Sequence, residues 1–353
     1  MMKVGEKNYR SIWLDEGDTG SVHVIDQRKL PFSFEVMTLR NTDDVCDAIS
    51  TMAVRGAPLI GAAAAWGVYL SFLEHSSGND LHGSVLNDAR NLKATRPTAV
   101  NLAWAVDYMT GVLGQFPDAV VMRRAAEGLC DEEAERSQLT GENGFPLIEE
   151  ISRKKGGGVV NILTHCNAGW LACVDYGTAL APVYLAHDRG IKVHVWVDET
   201  RPRNQGSRLT AWELSNHGVP CTVITDNAGG HLMQKGMVDI AIVGCDRATA
   251  SGDVANKIGT YLKALAAHDN GIPFYSAFPV STFDMSIDRG DQIVIEERDG
   301  SEVRMIDGTK IVQEDIPVSN YGFDVTPARL ITGLITDRGI CRADRESILK
   351  ILS

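Results

Sequence analysis

The sequence predicts an α/β protein: a Rossmann-like, doubly wound parallel-sheet C-terminal domain, with a mainly helical N-terminal domain preceded by short β strands. Three observations predict it. Short β-rich runs recur at 158–165, 192–199, 220–226, 238–246, 273–278 and 292–297. Amphipathic helical segments lie between most of them, and residues 43–140 have helical spacing instead. Near-continuous apolar strands alternating with helices indicate a parallel sheet covered on both faces. At 353 residues the chain is long enough for two cores.

The first forty residues alternate polar and β-forming types, as in SVHVIDQRKLPFSFEVMTL, and predict short strands or hairpins. The segment TDDVCDAISTMAV then opens a helix with a Thr or Asp cap. Helical spacing follows over Thr98–Leu113 and Asp118–Gln138. The stretch TGENGFP at 140–146 is rich in turn formers, which puts a domain boundary between 145 and 146. In the C-terminal half, Ile258, Tyr261, Leu262, Leu265 and Ala266 mark the apolar stripe of a helix.

Charge narrows the partners. Lys and Arg number 34 against 46 Asp and Glu, a net charge of −12. Such a chain repels polyanions, so neither nucleic acid nor an anionic membrane is expected as a partner. A small anionic ligand needs only a few focused basic groups. The seven cysteines are odd in number and form no C-x-x-C pair, which reads as reduced thiols in a cytoplasmic protein. The start, MMKVGEKNYR, has no apolar core of a signal peptide. Gly56–Leu73 runs 18 residues without a charge but is rich in Ala and Gly, and reads as a buried helix of a soluble protein rather than a membrane span.

In open α/β sheets, ligands sit beyond the carboxyl ends of the strands. Those ends carry His165-Cys166-Asn167, Asp198-Glu199, Asp226-Asn227, Cys245-Asp246-Arg247 and Ser276. Neither G-x-G-x-x-G nor G-x-x-x-x-G-K-[ST] follows a strand, so no cofactor is expected. The nine His and the Cys lack zinc-ligand spacing, so no metal is expected. Cys166 is expected to begin a helix at Asn167, where the helix dipole favours thiolate. His165, pointing away from its neighbour along a strand, reads as a structural histidine. Asp246 at the mouth of an apolar strand reads equally as an acid/base raised by desolvation, as a helix cap, or as a partner of Arg247. Arg55, Arg96, Arg201, Arg203, Arg208 and Lys257 sit on turn motifs, where guanidinium groups and backbone N–H groups grip phosphates.

Six segments together resemble the S-methyl-5-thioribose-1-phosphate isomerase family: VRGAPLIG (54–61), RPTAVNLAWA (96–105), LTHCNAG (163–169), DETRPRNQGSRLTAWEL (198–214), DVANKIGTY (253–261) and FDVTP (323–327). The wider superfamily includes regulatory subunits of the initiation-factor guanine-exchange complex. The resemblance implies an aldose–ketose isomerase of methionine salvage, acting on a small phosphorylated sugar without cofactor, as a cytoplasmic homodimer. It makes Cys166 and Asp246 the catalytic pair, and Arg55, Gly56, Ala57, Arg96, Gln205, Asn256 and Lys257 the substrate-binding residues. Cys245, Ser207 and Asn320-Tyr321-Gly322 depart from the family's usual residues without removing any of these groups. A non-catalytic regulatory subunit and a Cys-dependent hydrolase using His165 and Cys166 are the competing readings.

Overall fold

The computed structural model describes residues 2–15, 17–96 and 99–353. The chain divides into two units: Met1–Gln138 with Gly169–Gly177, and Leu139–Ala168 with Thr178–Ser353.

The first unit begins with the hairpin β1 (Met2–Val4) and β2 (Lys7–Tyr9), then a three-stranded antiparallel sheet of β3 (Ile12–Leu14), β4 (Val22–Ile25) and β5 (Val36–Leu39). Helices α1 (Thr42–Ser50), α2 (Ala57–His75), α3 (Leu81–Thr95), α4 (Val100–Gln115) and the part of α5 (Ala119–Lys154) up to Gln138 follow. The cap of α1 is Asn41, one residue before the expected Thr, its side chain accepting from the Asp44 N–H at 2.8 Å. The uncharged stretch at 56–73 forms most of α2, buried from Leu59 to Phe72, and sheet and helix side chains such as Val24, Leu102 and Met122 pack in the same core. It is the one described helix long and apolar enough to cross a membrane, and its surface is spent on this core. Helix α4 starts at Val100; Pro97 and Thr98 of the RPT motif lie outside the described residues.

Residues 140–146 are helical, not a turn: α5 runs unbroken to Lys154, with Pro146 inside it. The glycines there serve close packing. A Cβ on Gly141 would come within 3.0 Å of the Ala181 Cβ, and one on Gly144 within 3.0 Å of Pro182. Asn143 donates to the Thr336 carbonyl at 2.8 Å and keeps its polar group satisfied.

The second unit is built on β6 (Val160–Thr164), β7 (Val193–Asp198), β8 (Cys221–Ile224), β9 (Ile240–Val243), β12 (Phe274–Ala277), β17 (Gly333–Thr336) and β18 (Gly339–Cys341), ordered β18-β17-β12-β9-β6-β7-β8. All neighbours are parallel except β17 and β18. A doubly wound sheet reverses direction at one place, and here it is between β6 and β9. Every residue of β9 and β17 is buried, as strands covered on both faces require.

A smaller sheet, β13-β10-β11-β16, is formed by β10 (Arg247–Thr249), β11 (Val254–Lys257), β13 (Phe283–Asp284) and β16 (Phe323–Thr326). Helices α6 (Ala181–Asp188), α7 (Ala211–His217), α8 (Ala228–Gln234), α9 (Thr260–Asp269), α10 (Ser301–Arg304) and α11 (Arg345–Leu352), with the two-residue strands β14 (Met305–Ile306) and β15 (Thr309–Lys310), complete the unit.

Two expectations fail here. Residues 293–296 form no ladder; only Glu297 bridges, to Tyr321, and Val294 is 81% exposed. Of the expected α9 stripe, Tyr261, Leu265 and Ala266 pack partly buried against the core, whereas Leu262 is 56% exposed and Lys263 is buried instead.

Candidate active site

Cys166 and Asp246 leave the carboxyl ends of β6 and β9, the adjacent strands at the reversal point, where Leu163 pairs with Ala241. A Cβ added to Gly244 would lie 2.8 Å from the Ala168 Cβ and 3.8 Å from Asn256 Oδ1, so both strand ends and β11 converge. The Asp246 N–H donates to the Ala255 carbonyl at 2.9 Å, directly before Asn256 and Lys257. The second unit therefore gathers Cys166, Gln205, Asp246, Asn256 and Lys257 on the same side of its sheet.

Cys166 is 7% exposed, and its backbone is left-handed, at φ +64°. No helix follows it: Asn167 and Ala168 are irregular and only a single 3₁₀ turn, Trp170–Ala172, comes next. The expected helix dipole is absent. Instead Sγ donates to Gln205 Oε1 at 3.3 Å. Gln205 reaches it because the helix leading into α7 opens with a π-helical turn, Gly206–Thr210, a feature frequent at functional sites. The hydroxyl of Thr210 donates to the Cys166 carbonyl at 2.6 Å.

Asn167 is buried, and donates to Thr210 Oγ1 at 3.1 Å and to Glu213 Oε1 at 2.9 Å. Tyr184 donates to the other Glu213 oxygen at 2.8 Å; burial first, then the Glu213 charge, pushes its phenol well above the ordinary range.

His165 is structural. Its Nδ1 lies 2.9 Å from Asp198 Oδ2 and its Nε2 2.8 Å from the Ile258 carbonyl. Lys263 of α9 places its ammonium 3.1 Å from the same Asp198 oxygen and donates to the Asp226 carbonyl. Among the described residues, His165, Asp198 and Asp226 form the one donor set suited to a metal ion, within 4.8 Å of one another. The Lys263 ammonium supplies the cation that set requires.

Asp246 is exposed. Asn256 and Lys257 are buried. Asn256 donates to Thr260 Oγ1 at 3.0 Å, and the Lys257 ammonium stands 4.8 Å from the Phe323 ring centroid. Asp324 of β16 fixes this turn by accepting from the N–H groups of Gly259 at 2.7 Å and Tyr261 at 3.1 Å. Burial raises its carboxyl above the ordinary range against those two bonds. The FDVTP motif thus holds the NKIGT motif.

Arg55, Gly56, Ala57 and Arg96 belong to the first unit. Gly56 is the cap of α2 at φ +99°, and a Cβ there would meet the Ala172 carbonyl oxygen at 2.4 Å. Arg55 is buried and Arg96 ends α3. The arginines of RPRNQGSR are engaged otherwise than expected. Arg201 donates to the Pro202, Glu302 and Val303 carbonyls, Arg203 to the Glu302 carboxylate and Arg208 to Asp307. They fasten the segment around α10 rather than standing ready for a phosphate.

The other cysteines behave as packing residues, and no disulfide joins any of the seven. Burial pushes the thiols of Cys46 and Cys341 up to about 11 and that of Cys130 up to about 12. It also raises Cys221 and, more strongly, Cys245.

A polar constellation at the reversal point of a doubly wound sheet, with a thiol and carboxylate on adjacent strands, defines an α/β protein that handles a small molecule through its side chains. Comparison with known proteins gives the family. Residues 53–343 match the Initiation factor 2 subunit family. The methylthioribose-1-phosphate isomerase of Desulfatibacillum aliphaticivorans is 53% identical over 360 aligned positions, covering 98% of each chain. That of Brucella anthropi is 54% identical over 362, again covering 98% of each. The solved 5-methylthioribose 1-phosphate isomerase of Pyrococcus horikoshii OT3 superimposes with a TM-score of 0.89 at 39% identity, covering 98% of this chain and 96% of the other. The translation initiation factor eIF-2B, subunit delta, from A. fulgidus gives a TM-score of 0.85, also at 39% identity, with 98% and 99% covered. The chain belongs to the methylthioribose-1-phosphate isomerases, within the Initiation factor 2 subunit family.

Proposed function

We infer that this protein is an aldose–ketose isomerase that converts S-methyl-5-thio-α-D-ribose 1-phosphate to S-methyl-5-thio-D-ribulose 1-phosphate in methionine salvage. The observation that carries the site assignment is that Cys166 and Asp246 follow the carboxyl ends of adjacent strands at the sheet's reversal point, with Asn256 and Lys257 beside Asp246.

The chemistry follows from the substrate. Phosphate on the anomeric oxygen blocks spontaneous opening to a free aldehyde, so the ring must open with acid assistance. In this reading Asp246 donates a proton to the ring oxygen and later recovers one from the C2 hydroxyl. Cys166, entering this step as the thiolate, takes the proton from C2 and delivers it to C1, and Gln205 holds the side chain in place between turnovers. The net change is one hydrogen moved from C2 to C1, one from the C2 hydroxyl to the ring oxygen, and no external oxidant. Asn256 and Lys257 bind the sugar phosphate together with Gln205, and Arg55, Gly56, Ala57 and Arg96 are its remaining ligands in this assignment. The reading invokes neither metal nor cofactor, and takes the active form to be a cytoplasmic homodimer.

Incubation with methylthioribose 1-phosphate, followed by ¹H and ³¹P NMR, should show the ketose 1-phosphate accumulating to equilibrium. No conversion by folded protein overturns the assignment. Running the reaction in D₂O should place deuterium at C1; its complete absence replaces the thiol-borne proton with a direct hydride shift. Retained activity on 5-deoxyribose 1-phosphate would widen the substrate class without changing the reaction.

A further inference from the structure

Two residues without glycine's freedom share the left-handed region beside the thiol. Cys166 is at φ +64° and Thr200 at φ +66°. For a β-branched residue this conformation is a true outlier, and it persists only where the surroundings over-determine it. The surroundings do so here. The Thr200 N–H donates to Asp226 Oδ1 at 2.6 Å and the Arg201 N–H to Asp226 Oδ2 at 2.8 Å, so one carboxylate grips both amides. Asp226 is itself tied down, its carbonyl accepting from the Lys263 ammonium.

The Thr200 hydroxyl is then used on both sides. It donates to the Asp198 carbonyl at 3.0 Å and accepts from the Cys166 N–H at 2.8 Å. Thr200 is wholly buried, so no solvent replaces either bond. With Thr210 holding the Cys166 carbonyl from the opposite side, two threonine hydroxyls set the backbone from which Sγ reaches Gln205.

We propose that Thr200, seated by Asp226, is a positioning residue that fixes the Cys166 thiol for proton transfer; this rests on the reading that Cys166 is the carbon acid/base. Thr200→Val keeps the shape of the side chain and removes only the hydroxyl, leaving the buried Cys166 N–H without its acceptor. A displacement of about 1 Å in a reacting group costs on the order of a hundredfold in rate.

The test measures steady-state kinetics on methylthioribose 1-phosphate, and the pH profile of iodoacetamide alkylation read on the Cys166 peptide by mass spectrometry. In Thr200→Val, kcat should fall roughly tenfold to a hundredfold with KM changed by less than about threefold, and the alkylation profile should shift. Thr200→Ser, which restores a hydroxyl, should recover most of kcat. A folded Thr200→Val with kcat within about twofold of wild type overturns the proposal, as does an equal loss in the serine variant or a loss confined to KM. Should the valine variant not fold, Asp226→Asn decides the matter by the same readouts. Cys166→Ser separates the two levels. If it is inactive while Thr200→Val is unimpaired, only the positioning role fails; if it is fully active, the role of the thiol itself fails.

Discussion

Gly206 lies directly against the carbonyl oxygen of Asp198: a Cβ at position 206 would stand 1.6 Å from it. The obstacle is backbone at the end of a central strand, so it cannot rotate aside. This contact lets the helix begin hard against β7 and brings Gln205 within reach of the Cys166 thiol. Gly206→Ala should therefore destabilise the protein by about 3 kcal/mol and lower Tm by roughly 5–10 °C, as calorimetry would register. An unchanged Tm would mean that this end of the helix yields freely.

The buried Lys263, Asp198 and His165 cluster carries a second prediction. Asp198 is fully buried and faces both the imidazole and the ammonium through the same oxygen. Lys263→Met fills the space but strands the carboxylate, and should cost about 3–5 kcal/mol in urea unfolding. Adding Asp198→Asn to that variant should return part of the loss, giving a coupling energy on the order of 1 kcal/mol or more. Strict additivity would show that the two groups act independently.

The strands that carry the two catalytic candidates were legible in the sequence because they are buried on both faces and therefore read as apolar runs; β6 and β9 are the examples. Cys166 and Asp246 stood out for the same reason, as polar residues at the ends of such runs. Where a local pattern had two physical causes, the reading failed. Gly141 and Gly144 look like turn formers but serve helix packing, and Leu262 looks like core but faces solvent because Lys263 is wanted inside. The support under Cys166 was not legible at all. It joins residues 34 and 39 positions apart through Thr200 and Gln205, and no local periodicity encodes such a contact.

The arginines that sequence reasoning offered to phosphate give a pH-dependent prediction instead. Glu302 is partly buried, which pushes its carboxyl up, yet hydrogen bonds from Arg298, Arg203 and Asn320 outweigh this and bring its pKa down to about 2. A carboxylate with a depressed folded pKa stabilises above its unfolded value of about 4.3 and loses that stabilisation as pH falls toward the folded value. The contribution is of order 3 kcal/mol at neutral pH and disappears between roughly pH 5 and pH 2. Glu302→Gln should be less stable than wild type at pH 7 and indistinguishable at pH 2 in urea midpoints. A gap that does not narrow on acidification would remove the ion pairs as its cause.

Cys166 and Asp246 differ in setting, and the difference predicts how their variants fail. Cys166 is buried with Sγ directed to Gln205, whereas Asp246 is an exposed residue. Cys166→Ser puts a far weaker acid in the same place, and turnover should fall by about 10²–10⁴-fold at every accessible pH. Asp246→Asn removes the proton donor for ring opening and should cost a similar factor. Because Asp246 is exposed, small carboxylic acids added to the buffer have a route to it, so formate or acetate should partly restore Asp246→Asn and leave Cys166→Ser unchanged. Deuterium at C1 then decides which step each residue serves. Rescued Asp246→Asn turning over in D₂O should still label C1, since the thiol is intact. Product without label from that variant would mean that Cys166 does not carry the hydrogen.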